Sequence, residues 1–153
     1  MRLDVQSNEL RSLLEEPSPA TVTIYREDGE PLTSPVWFRV QGEAFEFVVA
    51  ATDKKLEHLR RDPRCLLLVF EASPPFRGVT VRARATIALD DGARVRLAIA
   101  TKYLGADAAR EYAALDRRQP GWVVRLPTAP ARGWSLADAL PASVSRELTP
   151  DLG

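Results

Sequence analysis

The 153-residue sequence holds one histidine, His58, and one cysteine, Cys65, so nucleophile–base chemistry has few places to be built. His58 is the only imidazole that could activate a nucleophile such as Ser34 or Cys65. Its helical neighbours put it on a polar face beside Lys54 and Arg61, which reads as a solvated histidine rather than a general base. Cys65 opens an apolar run and reads as a small core hydrophobe. Alone it cannot form an internal disulfide, and a single histidine cannot make a His-rich metal site. The acidic residues are spread along the chain, with no spacing that brings two carboxylates together. No catalytic side chain and no metal ligand is assigned, and nothing argues for a hydrolase.

The lysines carry more information. Of the 21 basic residues 18 are arginine, and two of the three lysines, Lys54 and Lys55, are adjacent in a segment that reads as a helix. At about 100° per residue, Leu56 and Leu59 define its buried stripe. Lys55 and Arg60 then flank the stripe, while Lys54, His58 and Arg61 point away. Lys55 can bring its ammonium to a groove beside the helix N-terminus, where free N–H groups and a positive charge suit a phosphate. The same pattern also describes an ordinary charged helix face. Trp37, Trp122 and Trp134 are planar walls suited either to a flat heteroaromatic ring or to plain core packing. Within Thr33–Phe38, Pro35 confines its strand to an edge or a bulge and leaves nearby backbone groups free for a ligand.

These residues need elements to position them. Ser7–Glu16 reads as a short helix, with Leu10, Leu13 and Leu14 on one face and Pro17 ending it. Thr21–Tyr25, Leu32–Val40 and Ala44–Val49 read as three antiparallel strands, joined through Asp28-Gly29 and Gln41-Gly42 as a meander. A helix capped by Thr52 or Asp53 runs to Arg61. Arg64–Glu71 is a strand whose unbroken apolar run suggests burial on both faces. Phe76–Leu89 reads as one long strand with period two. Two helical stretches follow, divided by Gly105, then a last strand at Gly121–Leu126 and a Pro-rich segment to Trp134. The pattern predicts one domain over residues 1–140, mainly β with helical caps: a small six-stranded barrel, with a sandwich as the alternative. Residues 141–153 are expected to form a poorly ordered tail.

Composition closes off other classes. With 45% apolar and 27% charged residues the chain is an ordinary globular one, not disordered, collagen-like or coiled-coil. Its 21 acidic residues balance the basic ones, so no overall field favours nucleic acid or an anionic membrane. The longest apolar run, Leu66–Phe70, is far short of the ~20 residues of a membrane span, and the N-terminus has no apolar h-region. A cytoplasmic protein is expected. No Gly-rich strand-to-helix turn supports a Rossmann site or a P-loop.

Four segments together resemble a known family: Ser34-Pro35-Val36-Trp37-Phe38, the string Lys55 to Arg64, Val81-Arg82-Ala83-Arg84-Ala85, and Tyr103-Leu104-Gly105. The sequence is similar to the flavin- and deazaflavin-binding split barrels related to pyridoxamine 5'-phosphate oxidase, and most of all to their F420-dependent branch. The likeness covers about nine tenths of the chain. It implies a six-stranded antiparallel split β-barrel of the FMN-binding type, forming a homodimer with cofactor sites at the interface. By that likeness, Ser34, Pro35, Val36 and Trp37 border the cofactor ring, Lys55 contacts its phosphate, and Trp134 helps close the site, often from the partner subunit. The implied cofactor is coenzyme F420, with FMN as alternative, and the implied chemistry is hydride transfer to a small organic acceptor. By the same likeness Val48 and Val49 border the cofactor, at the positions where the family usually carries a hydroxyl pair ahead of the lysine, so those donors are missing here. The usual asparagine is His58 and the usual glycine of the fifth strand is Ala83. A non-catalytic split barrel holding a flavin, haem or other planar ligand is the second reading.

Overall fold

A short strand β1 (Arg2–Leu3) leads into α1 (Asn8–Glu15), whose N-terminus is capped by Ser7, its Oγ accepting from the Leu10 N–H. Leu10, Leu13 and Leu14 recur at helical spacing and are buried, and Pro17 prevents continuation. The computed structural model describes residues 2–115 and 120–147. After α1 come β2 (Ala20–Tyr25), β3 (Pro31–Val36), β4 (Arg39–Gln41) and β5 (Ala44–Ala50), then α2 (Lys54–Arg61). Next are β6 (Arg64–Phe70), β7 (Gly78–Arg84) and β8 (Thr86–Leu89), followed by α3 (Arg94–Leu104) and α4 (Ala106–Leu115). The C-terminal part supplies β9 (Gly121–Pro127), β10 (Arg132–Trp134) and α5 (Ala142–Glu147).

The strands form two antiparallel sheets, ordered β1-β10-β7-β6-β2-β3 and β4-β5-β9-β8. Their inner faces share one core, in which Val22, Ile24, Phe38, Phe45, Phe47, Leu67, Val79 and Leu126 are fully buried. α2 closes it with Leu56 and Leu59, as its apolar stripe predicts. The result is an α+β fold of the split-barrel type.

Both long strands read from the sequence are broken, because the chain passes from one sheet to the other within them. Leu32–Val40 divides at Trp37-Phe38 into β3, the edge of the larger sheet, and β4, an edge of the smaller. The expected three-stranded meander is therefore two separate pairs, β2–β3 and β4–β5. Phe76–Leu89 divides at Ala85, whose N–H bonds to the Pro63 carbonyl at 2.7 Å instead of to a strand neighbour. Alternating apolar residues fit a continuous strand and a strand that changes sheets equally well, since both keep the inward face inward. The β6 run also differs from expectation: Cys65, Leu67 and Val69 are buried, but Leu66 and Leu68 are half-buried and Phe70 is exposed.

Pro31 and Pro35 are accommodated because β3 is an edge strand, with no neighbour on its second side among the described residues. Gly78 has a packing reason. The Trp134 ring lies against it across the β7–β10 pair, and a Cβ at that position would be 2.1 Å from Trp134 Cζ2. Gly78→Ala should displace β10 and destabilise the protein by roughly 1–3 kcal/mol, the usual cost of overpacking. A urea midpoint equal to the wild type would show that the tryptophan is not seated there.

Candidate functional site

The crossing from β3 to β4 builds one wall of a groove. Phe38 is at the turn, and α3 holds both of its backbone groups: the Phe38 N–H donates to the Tyr103 hydroxyl at 3.3 Å, and Lys102 Nζ donates to the Phe38 carbonyl at 3.0 Å. The Tyr103 hydroxyl donates in turn to the Ser18 carbonyl at 2.9 Å. Burial holds the Tyr103 phenol above its usual range, although the Phe38 N–H favours the ionised form. With the backbone fixed, the Trp37 ring stacks on Tyr103, centroids 4.9 Å apart and planes 7° apart, and meets Tyr112 of α4 at 5.8 Å. Trp37 is 36% exposed, so it is a rim residue rather than a core one.

The groove has a volume of ≈450 Å³, within the roughly 300–1,000 Å³ of small-molecule sites. Pro35, Val36 and Trp37 from the crossing, Val48, Val49 and Ala50 from β5, and Ile99 and Tyr112 from α3 and α4 supply its apolar and aromatic side chains, beside a comparable share of polar surface. Its charged residues are Asp53, Lys55 and Arg96. Of the eight residues assigned to the cofactor, Pro35, Val36, Trp37, Val48, Val49 and Lys55 thus meet in one cavity.

Asp53 changes the chemistry at the helix N-terminus. Its Oδ1 accepts from the Lys55 N–H at 2.9 Å and its Oδ2 pairs with Lys55 Nζ at 3.1 Å. The positive end of α2 and the lysine already share a carboxylate, so a bound anion competes with Asp53 or sits beside it. Arg96 supplies a second cation from α3. It is buried, and the start of its helix is held by Asp90, whose carboxylate accepts from the Val95 and Arg96 N–H groups at 2.9 and 3.0 Å. Gly121 leaves room for it: a Cβ there would be 2.6 Å from an Arg96 guanidinium nitrogen.

The remaining assignments fall elsewhere. Ser34 does not line the groove, and its buried Oγ has no hydrogen-bond partner among the described residues. A Ser34–His58 pair therefore does not form. Cys65 is buried, and burial pushes its thiol up to about 12, which removes it as a nucleophile at neutral pH. Trp134 packs on Gly78, outside the groove of its own chain. Trp122 carries the Arg60 guanidinium over its ring at 4.5 Å. Lys54 and Arg61 are both exposed, as the helix phase predicts, and Arg61 donates to the Tyr25 carbonyl at 2.8 Å. No cluster of three or more His, Cys, Asp or Glu side chains suited to a metal occurs among the described residues.

Sequence reasoning missed Arg96 and Tyr112 as lining residues and gave Lys102 and Tyr103 no role. An aspartate ahead of a helix, as Asp90 is to α3, signals where the helix starts and not which way Arg96 faces. Nothing local links Lys102 and Tyr103 to Phe38, because the contact spans more than sixty residues.

A sequence search of curated proteins returned no match. Among solved structures, the conserved hypothetical protein Rv2991 of Mycobacterium tuberculosis is similar, with a TM-score of 0.73 and 25% identity, over 90% of this chain and 90% of that one. An F420 reductase aligns with a TM-score of 0.62 and 26% identity, over 78% of this chain and 93% of its own. HutZ, the haem storage protein of Vibrio cholerae, shares the fold at 15% identity and a TM-score of 0.63, over 86% and 94% of the two chains. Among the described residues no helix is long and apolar enough to cross a membrane. A family model described as pyridoxamine 5'-phosphate oxidase matches residues 7–126, from the cap of α1 through most of β9, and the chain belongs to that flavin-binding split-barrel family.

Proposed function

We propose that the groove binds coenzyme F420, with FMN as the alternative, and that the protein is a cytoplasmic reductase acting on a small organic acceptor. The observation that carries this reading is the groove itself, which places an aromatic and apolar wall and two cations, Lys55 and Arg96, in one cavity. Those residue types suit a planar ring with an anionic substituent. The similarity to an F420 reductase at 26% identity favours the deazaflavin over FMN. When bound, such a cofactor supplies the hydride chemistry. The chain's own part is to bind and orient: Trp37 and the Pro35-Val36 segment border the ring, and Lys55 and Arg96 attract the anion. No side chain of the groove needs to act as acid or base for this reading. The test is titration of the purified protein with F420, FMN and haem, read by fluorescence and absorbance. Saturable F420 binding is expected, and binding of haem alone would overturn the reading. The Asp53 carboxylate beside Lys55 favours a second reading, a non-catalytic holder of a planar ligand with little need of a phosphate contact. Bound F420 that reduces no acceptor under turnover conditions would select it.

Trp37 provides a separate check. A half-exposed stack contributes about 0.5–1.5 kcal/mol beyond its buried area, so Trp37→Ala should cost less than the roughly 3–5 kcal/mol of a core tryptophan. Cofactor affinity should fall by about tenfold, within the roughly 1–3 kcal/mol of one ring stack. Comparing the urea midpoint with the fluorescence titration separates the two. A large stability loss with unchanged affinity would return Trp37 to the core.

The protein is further proposed to be a homodimer. Leu66, Leu68 and Phe70 leave an apolar stripe on the outer face of the larger sheet, and a second copy would complete the two-sided burial implied by the β6 sequence. In such an assembly the partner subunit's Trp134 is the candidate to close the groove. Light scattering at micromolar concentration should report twice the chain mass; a monomer would remove both claims.

A further inference from the structure

A second cavity, of ≈340 Å³, shares no lining residue with the groove. It opens where α1, β4 and the last turn of α3 meet, and Arg11, Leu14, Glu15, Arg39, Val40 and Lys102 are among its walls. We propose that this cavity binds a small organic carboxylate, held by Lys102, Arg39 and Arg11 against the apolar surface of Leu14 and Val40. The inference does not depend on the cofactor reading.

Unused donors converge there. Lys102 Nζ donates to the Leu14 carbonyl at 2.8 Å and to the Phe38 carbonyl at 3.0 Å. It lies 3.8 Å from the Phe38 ring centroid and 5.0 Å from that of Tyr103, so among the described residues its third N–H has only ring faces and no oxygen acceptor. Neither bond goes to a carboxylate. Burial therefore lowers the Lys102 ammonium to about 8, with Glu15 acting weakly in the opposite direction. Among the described residues Arg39 engages Glu46 through Nε alone, which leaves its two terminal nitrogens for a ligand, and Arg11 makes no ion pair. Lys102 forms no ion pair among the described residues and has Glu15 only as a more distant carboxylate; a half-buried cation placed so is costly, and an anionic ligand would supply the close partner. Glu15 at the wall disfavours a dianion, and the apolar walls favour an organic body, so a monocarboxylate fits better than phosphate. Lys102 also holds the Phe38 carbonyl, which ties an occupant of this cavity to the crossing that presents Trp37.

The test is calorimetric titration of the full chain with benzoate and with inorganic phosphate, at about pH 7 and about pH 9.5, on either side of the Lys102 value. The charged and titratable groups facing Lys102 are Arg11 and Glu15 from α1, Arg39 from β4, and Tyr103 from its own helix, whose phenol burial holds above its usual range. Benzoate should bind saturably with a Kd below about 1 mM, and more weakly at the higher pH, where Lys102 is neutral. Lys102→Met should weaken it by about tenfold or more, the loss of one charge-assisted hydrogen bond, and should abolish the pH dependence. Should Lys102→Met not fold, the exposed Arg11→Gln decides, with an expected loss of about two- to fivefold. Lys55→Ala should leave benzoate binding unchanged. The proposal is overturned by absent saturation, by phosphate binding tighter than benzoate, by unchanged affinity in Arg11→Gln, or by loss of binding in Lys55→Ala, which would place benzoate in the groove.

Discussion

Glu46→Ala should lower the unfolding free energy by about 3 kcal/mol, the low end of the roughly 3–5 kcal/mol lost when one partner of a buried ion pair is removed. Glu46 is in the middle of β5 with its side chain 3% exposed. It bridges two neighbours: Oε1 accepts from Arg39 Nε at 2.9 Å on the β4 side, and Oε2 from Arg125 Nε at 2.5 Å on the β9 side. Both contacts follow from register, since Glu46 faces Arg39 in one pair and Arg125 in the other. Truncation leaves two cations beside each other with no carboxylate between them. The effect stays at the low end because both arginines reach solvent and can be hydrated. Arg39→Ala alone should cost less, because Glu46 keeps Arg125. Urea unfolding checks both variants. A Glu46→Ala loss below about 1 kcal/mol would put the triad in the class of ordinary surface pairs.

Lys55→Ala should weaken F420 binding by about 10- to 100-fold, the worth of a hydrogen bond to a charged group at roughly 1.5–3 kcal/mol. The expected loss lies toward the upper end, because removing the ammonium leaves the Asp53 carboxylate unpaired beside the groove. Asp53→Asn tests that reasoning in the other direction. Asparagine still caps α2, so the helix is kept, while the competing negative charge goes and affinity should rise. Lys54→Ala should stay within about twofold, as expected for an exposed charge. Affinity should also fall with added salt, since a partly exposed ammonium–anion pair is screened in part. Fluorescence titration of the four proteins reads all of this. Equal losses for Lys54→Ala and Lys55→Ala would show that the anion binds outside the groove.

The sequence by itself determined the local elements and their inward faces. The stripe of Leu56 and Leu59 placed Lys55 at the edge of α2, where it lines the groove, because helical phase depends only on spacing. The i, i+3, i+4 leucines and the Ser7 cap set α1 in the same local way. Pro35 marked an edge strand because a missing N–H excludes a central one. Tertiary structure decided where strands change sheets, since burial alternates identically on either side of a crossing such as Trp37-Phe38 or Ala85. It decided that Lys102 and Tyr103 clamp Phe38, a contact between elements far apart in the chain whose residue types alone suggest an exposed cation and a packed ring. It brought Arg96 into the groove, and it gave the Lys55 ammonium a carboxylate partner at 3.1 Å. Charge partners depend on the side-chain positions that packing leaves, and spacing along the chain does not encode them.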